Sequence, residues 1–185
     1  MIITVVRSAE FSLYAPTRDA AVLRIHDPVE DWAPEADRLK AAGWGATLSL
    51  AFWDVGVQGM SLGESLVARL LGRWRGLALR LGDRFFPMGD DIPWRPFLAA
   101  DARDIAAFAD ALPDRGIRHL MVVCGNGRAR SWTVAKWLSR RLSASLTAAH
   151  GWERESAAIA RTLARVPPSA RRAPATAYAR LEAAE

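Results

Sequence analysis

Residues 119–132, HLMVVCGNGRARSW, decide how the chain is read. Four apolar positions, Leu120 to Val123, run into Cys124, the one cysteine in the sequence. Gly125, Asn126, Gly127, Arg128 and Ala129 follow, then Arg130, and Ser131 lies at the start of a helical pattern that runs to Leu142. A short valine-rich run reads as a buried strand, so the segment is strand, glycine-bearing turn, helix. That order is anion-binding geometry. The first amides of a helix lack internal partners, the macrodipole adds partial positive charge there, and glycines let successive N–H groups converge on one centre.

Working outward, the runs IITVV (2–6), AVLRI (21–25), ATLSLAF (46–52) and LMVVC (120–124) alternate with longer helical patterns. Alternation of this kind predicts an α/β fold around a mostly parallel sheet of about 4–5 strands flanked by helices. PEADRLKAAG (34–43) reads as a helix with Pro34 at its start and Gly43 at its end. Ser61 and Glu64 make a capping box for an amphipathic helix over 61–80, with Leu62, Leu66, Leu70, Trp74 and Leu77 on one face. A helix over 99–112 turns Ile105, Phe108 and Leu112 inward, and PDRG (113–116) then delivers the chain to LMVVC. Helices over 131–142, 154–166 and 175–184 complete the pattern, the last two separated by PPSARRAP. The 185 residues read as a single domain, with 60–92 as an insertion and 167–185 as a C-terminal connector and helix.

Composition narrows the function classes. Hydrophobic content of 51% with 24% charged residues is that of a globular chain. The net charge of +5 suits an acidic or phosphorylated partner, yet no long basic block indicates nucleic acid. A lone cysteine forms no internal disulfide, so a cytoplasmic location is expected, and no uncharged stretch approaches membrane-spanning length. His26, His119 and His150 do not fall at metal-ligand spacing, and no metal is expected. Met60, Met88 and Met121 read as core fillers. Of the eight tryptophans, Trp74, Trp132 and Trp137 read as packing residues, and Trp53 and Trp94 as pocket-wall candidates.

The chemistry of the loop follows from its residue types. Amides at a helix start and a nearby guanidinium stabilise thiolate over thiol, and the thiolate is the nucleophile. Arg130 supplies a planar fork that holds two oxygens of a phosphoryl group. Arg128, inside the loop, is expected to face outward and to meet a second phosphate or acidic group of a substrate.

Cysteine, five residues, arginine and serine, with glycine at the third position after the cysteine, resembles the phosphate loop of the protein tyrosine and dual-specificity phosphatase superfamily. AVLRIHDP, ATLSLAFWDV, DARDIAAFADAL and RHLMVVCGNGRARS follow in the order of its compact bacterial dual-specificity-like members. The resemblance implies a metal-free, cofactor-free hydrolase acting on a phosphorylated protein or a small phosphate ester. It makes Cys124 the nucleophile that becomes phosphocysteine, Arg130 the phosphate ligand and Ser131 the hydroxyl that helps the thiolate leave. Gly125, Asn126, Gly127, Arg128 and Ala129 become the phosphate-binding loop. An upstream aspartate protonates the leaving oxygen. Asp54, in LAFWDV after a predicted strand, is favoured over Asp91, in MGDDIPW, which lies nearer Cys124 in sequence. The sequence departs from the resemblance at Val123, where a histidine usually stands, and this leaves a non-catalytic phosphate-binding module as the second reading. A rhodanese-like sulfurtransferase is the third, and its shorter cysteine loop fits this spacing poorly.

Overall fold

A computed structural model describes residues 1–27, 33–52, 97–147 and 154–168. Five strands form one sheet: β1 (Ile2–Arg7), β2 (Ala20–His26), β3 (Ala46–Ala51), β4 (His119–Cys124) and β5 (Ser145–Thr147), in the order β3-β2-β4-β1-β5. Every pairing is parallel. The helices are α1 (Ser8–Phe11), α2 (Ala33–Ala41), α3 (Ala99–Ala111), α4 (Arg130–Leu142) and α5 (Ala157–Leu163). The α/β architecture expected from the alternating pattern is therefore the observed one. Helices predicted over 61–80 and 175–184 lie outside the described residues, as do Trp53, Trp74, Trp94, Met60, Met88 and His150.

Chain direction divides the helices between the two faces. From β1 to β2 to β3 the chain moves towards one edge of the sheet, and it then returns through β4 to β5 at the other. Right-handed crossovers place the connections of opposite direction on opposite faces. Phe11 of α1 and Leu39 of α2 accordingly pack with Val6, Val22, Met121 and Val123 on one face. Ile105 and Ala109 of α3, Val134 and Leu138 of α4, and Ile159 and Leu163 of α5 cover the other, against Ile3, Leu23, Leu120 and Val122. Burial on both faces explains why the strands read as continuous apolar runs rather than alternating ones.

Local chemistry fixes the helix limits. The buried Asp101 carboxylate accepts the Leu98 N–H at 2.8 Å, which caps α3 at its start. Gly116, at φ 68°, closes the Pro113–Arg115 turn in the left-handed region as PDRG predicts. Trp132 and Trp137 pack against the core, and Met121 is buried within it.

The helix predicted over 154–166 is shorter than expected, since its regular part is α5. Residues 154–156 instead bind α4 and the cysteine loop: the Arg154 N–H donates to the Arg128 carbonyl at 3.3 Å, and the Ser156 N–H to Thr133 Oγ1 at 2.8 Å. These tertiary bonds replace what helical continuation would provide. Two short elements, α1 and β5, carry too few residues to stand out as a pattern. Among the described residues, no helix is long and apolar enough to cross a membrane.

Thr133 Oγ1 also donates to the Ala129 carbonyl at 2.7 Å, so one hydroxyl ties the loop, α4 and the 154–156 segment together. Thr133→Val keeps the shape and leaves the Ser156 N–H without its acceptor. It is expected to lower stability in urea unfolding by about 1–3 kcal/mol. Ser139→Ala, which removes only a bond to the Lys136 carbonyl one turn back, is expected to stay within about 0.5 kcal/mol of the parent.

Candidate active site

Parallel register brings four strand ends to one edge of the sheet. Cys124 pairs with Arg7 of β1 and with Ile25 of β2, and β2 carries His26 beside Ala51 of β3. Arg7, Asp27 and Phe52 therefore lie around the loop that leaves β4. In an open α/β sheet this carboxyl edge is where ligands bind, at a point where neighbouring connections part to opposite faces. The loop after β4 meets that condition on both sides, because β1 and β2 lead to α1 and α2 while β4 leads to α4.

Cys124 is 3% exposed and forms the floor of the loop. Its Sγ lies 3.0 Å from Ser131 Oγ, and Ser131 is fully buried. Gly127 and Ala129 are buried, Gly125 is half-buried, and Asn126 and Arg128 are exposed, as expected of an outward-facing Arg128. α4 begins at Arg130, and its N-cap residue, Ala129, makes no side-chain cap bond. The start of α4 follows directly on the loop that leaves Cys124, and a helix start favours an anion.

Two glycines of the loop have different physical roles. Gly127 adopts φ 65°, and a Cβ there would stand 3.1 Å from Arg7 Cγ. Gly125 is not in the left-handed region, and its Cβ would make ordinary contacts of 3.7 Å with Asp27 Oδ2 and 3.8 Å with Arg130 Nη2.

Arg130 turns back over the strand ends. Its Nη1 donates to the carbonyls of His26 at 3.1 Å and Phe52 at 2.9 Å, and its Nη2 meets Asp27 Oδ1 at 2.5 Å. Asp27 and the two carbonyls were not among the residues singled out from sequence. The signal was present in AVLRIHDP, where an acid directly follows the strand destined to neighbour β4, but only the strand order makes that adjacency visible. Asp54 and Asp91, the two candidates for proton donor, lie outside the described residues.

Behind this edge, on the α2 face, Arg24 and His26 share one carboxylate. Arg24 Nη2 lies 2.7 Å and His26 Nδ1 3.4 Å from Glu35 of α2. Burial holds the His26 imidazole below its ordinary value of 6.5; Glu35 and Asp27 oppose that shift, and Arg24 and Arg130 add to it. Val123, the residue before the cysteine, is fully buried in the apolar cluster of the same face and offers no polar group to the loop. Among the described residues, no group of three or more His, Cys, Asp or Glu side chains is placed to hold a metal ion. Comparison of the chain with family models, with curated proteins and with solved structures finds no match in any of the three.

Gly127→Ala is expected to destabilise the protein by about 1–2 kcal/mol in urea unfolding, from the left-handed backbone alone. Gly125→Ala is expected to remain within about 0.5 kcal/mol.

A histidine with a depressed folded value favours the native state fully above its unfolded value and loses that contribution as pH falls through the folded one. The His26 imidazole is therefore expected to titrate below 6.5 by NMR. The acid-side fall in melting temperature that begins near that pH is expected to be shallower in His26→Asn.

Proposed function

We propose that the chain is a cysteine-dependent phosphatase that hydrolyses a phosphate monoester through a phosphocysteine intermediate. The observation that carries this reading is the Cys124–Ser131 contact of 3.0 Å at the floor of a loop whose arginine is fixed beside it. The substrate is a phosphorylated protein residue, with phosphotyrosine first, or a small phosphate ester.

In the first step the Cys124 thiolate attacks phosphorus, the S–P bond forms, and the bond to the leaving oxygen breaks as that oxygen takes a proton from a carboxylic acid. Asp54 is the preferred donor and Asp91 the alternative. The backbone amides of residues 125–131 and the Arg130 guanidinium stabilise the equatorial oxygens. Because Nη1 is committed to two carbonyls, the bidentate grip falls to the Nε/Nη2 edge of the fork. In the second step water attacks phosphorus and gives a proton to the carboxylate that the first step left, the S–P bond breaks, and inorganic phosphate leaves. Ser131 Oγ donates to the departing sulfur and so stabilises it as thiolate.

One observation favours a second reading, a phosphate-binding module without turnover. The buried, apolar Val123 supplies none of the hydrogen bonding that a histidine before the cysteine provides.

Hydrolysis of an aryl phosphate separates the two. Turnover is expected in the parent and absent in Cys124→Ser, and Arg130→Lys is expected to cost on the order of 10²-fold or more in kcat/KM. Ser131→Ala is expected to slow breakdown of the intermediate and so produce a burst. Of Asp54→Asn and Asp91→Asn, the true acid is the one whose loss slows esters with poor leaving groups most, by about 10²- to 10⁴-fold. Turnover that survives Cys124→Ser would overturn the enzyme reading, and vanadate binding without turnover in the parent would favour the module.

A further inference from the structure

We propose that Asp27 is a positioning residue that holds the Arg130 guanidinium in its phosphate-binding orientation, a role that rests on the reading of the cysteine loop as an oxyanion site. An arginine has four side-chain torsions, and a fork that must present one edge to a ligand has to be anchored by its other edge. Here the anchors come from the strand ends and not from the loop. The His26 and Phe52 carbonyls accept from Nη1, and Asp27 Oδ1 makes an ion pair with Nη2 at 2.5 Å.

All three acceptors follow β2 and β3 and so lie on one side of β4, which draws the guanidinium to that side of the loop. The position of Gly125 shows how close this is to the loop wall, since a Cβ there would touch both Arg130 Nη2 and Asp27 Oδ2. Two carbonyls engage both in-plane hydrogens of Nη1, and the carboxylate adds an electrostatic hold on a second nitrogen of the same fork.

Asp27 also places a negative charge near an incoming oxyanion, so its two effects on binding have opposite signs. Orientation outweighs repulsion here. The Asp27 side chain is 28% exposed, where water screens a charge at a distance more than it weakens the close ion pair with Nη2. Removing the carboxylate therefore weakens oxyanion binding.

The test is the affinity for inorganic phosphate by calorimetry, in the parent, Asp27→Asn and Asp27→Ala, each also in an Arg130→Lys background. Asp27→Asn preserves shape and an acceptor oxygen, and is expected to bind about threefold more weakly; Asp27→Ala is expected to bind about tenfold more weakly. In the Arg130→Lys background there is no planar fork to orient, and Asp27→Ala is expected to change affinity by less than about twofold. A purely structural role would give the same loss in both backgrounds, and that result, unchanged affinity, or tighter binding in Asp27→Ala overturns the proposal. A parent that binds no phosphate overturns the reading of the loop itself, and the proposal with it. A parent that binds phosphate but shows no turnover removes the phosphatase reading and leaves the role of Asp27 standing.

Discussion

The contact on which the site depends is the one between Arg130 and the ends of β2 and β3. A guanidinium at the first position of α4 would ordinarily extend into water, as long cationic side chains do. Here it folds back on two main-chain carbonyls and a carboxylate, and each of those acceptors is fixed by a strand. The orientation of the loop arginine is therefore set by sheet register. A slip of one residue between β2 and β4 would turn the opposite side chains to each face and remove Asp27 from reach. Burial of Leu23 and Ile25 on one face and Val22 on the other prevents that slip.

The loop is held from its other side by α4 and the chain that returns to it. Thr133 joins the loop carbonyl of Ala129 to the Ser156 amide, and Arg154 adds a main-chain bond to Arg128. Further along α4, Arg141 makes a paired contact with Asp110 of α3, at 2.9 and 2.7 Å, and its guanidinium lies over the Trp137 ring. A bidentate, partly buried pair of this kind locks two helices in rotation as well as in distance. α4 is thus held beside the loop through Thr133 and further along through Arg141.

The α2 face carries buried charge beside its apolar cluster. Arg24 and His26 are buried on β2, and both turn to Glu35. The ring of Phe11, itself stacked on Trp44, lies 5.6 Å from the Arg24 guanidinium carbon and covers one of its faces. The same residue, His26, offers its carbonyl to Arg130 and its imidazole to Glu35, so the polar layer beneath α2 and the loop arginine share one point of the backbone.

Much of this was legible in the chain itself, for reasons of local physics. The four long strands are valine-rich and leucine-rich runs bounded by turn residues, and hydrophobic patterning of that kind fixes them without reference to neighbours. The strand, loop and helix around Cys124 were legible because the three follow one another in a single short stretch, with the helix starting at Arg130, one residue before the predicted Ser131. Residues 154–156 were not, because their amides are satisfied by Thr133 and Arg128, which are distant in sequence. Asp27 shows the same division. Its sequence says only that an acid follows a strand. The order β3-β2-β4-β1-β5 decided that this acid stands beside Arg130, because strand neighbours are chosen by long-range packing and crossover direction, which no local run of residues encodes.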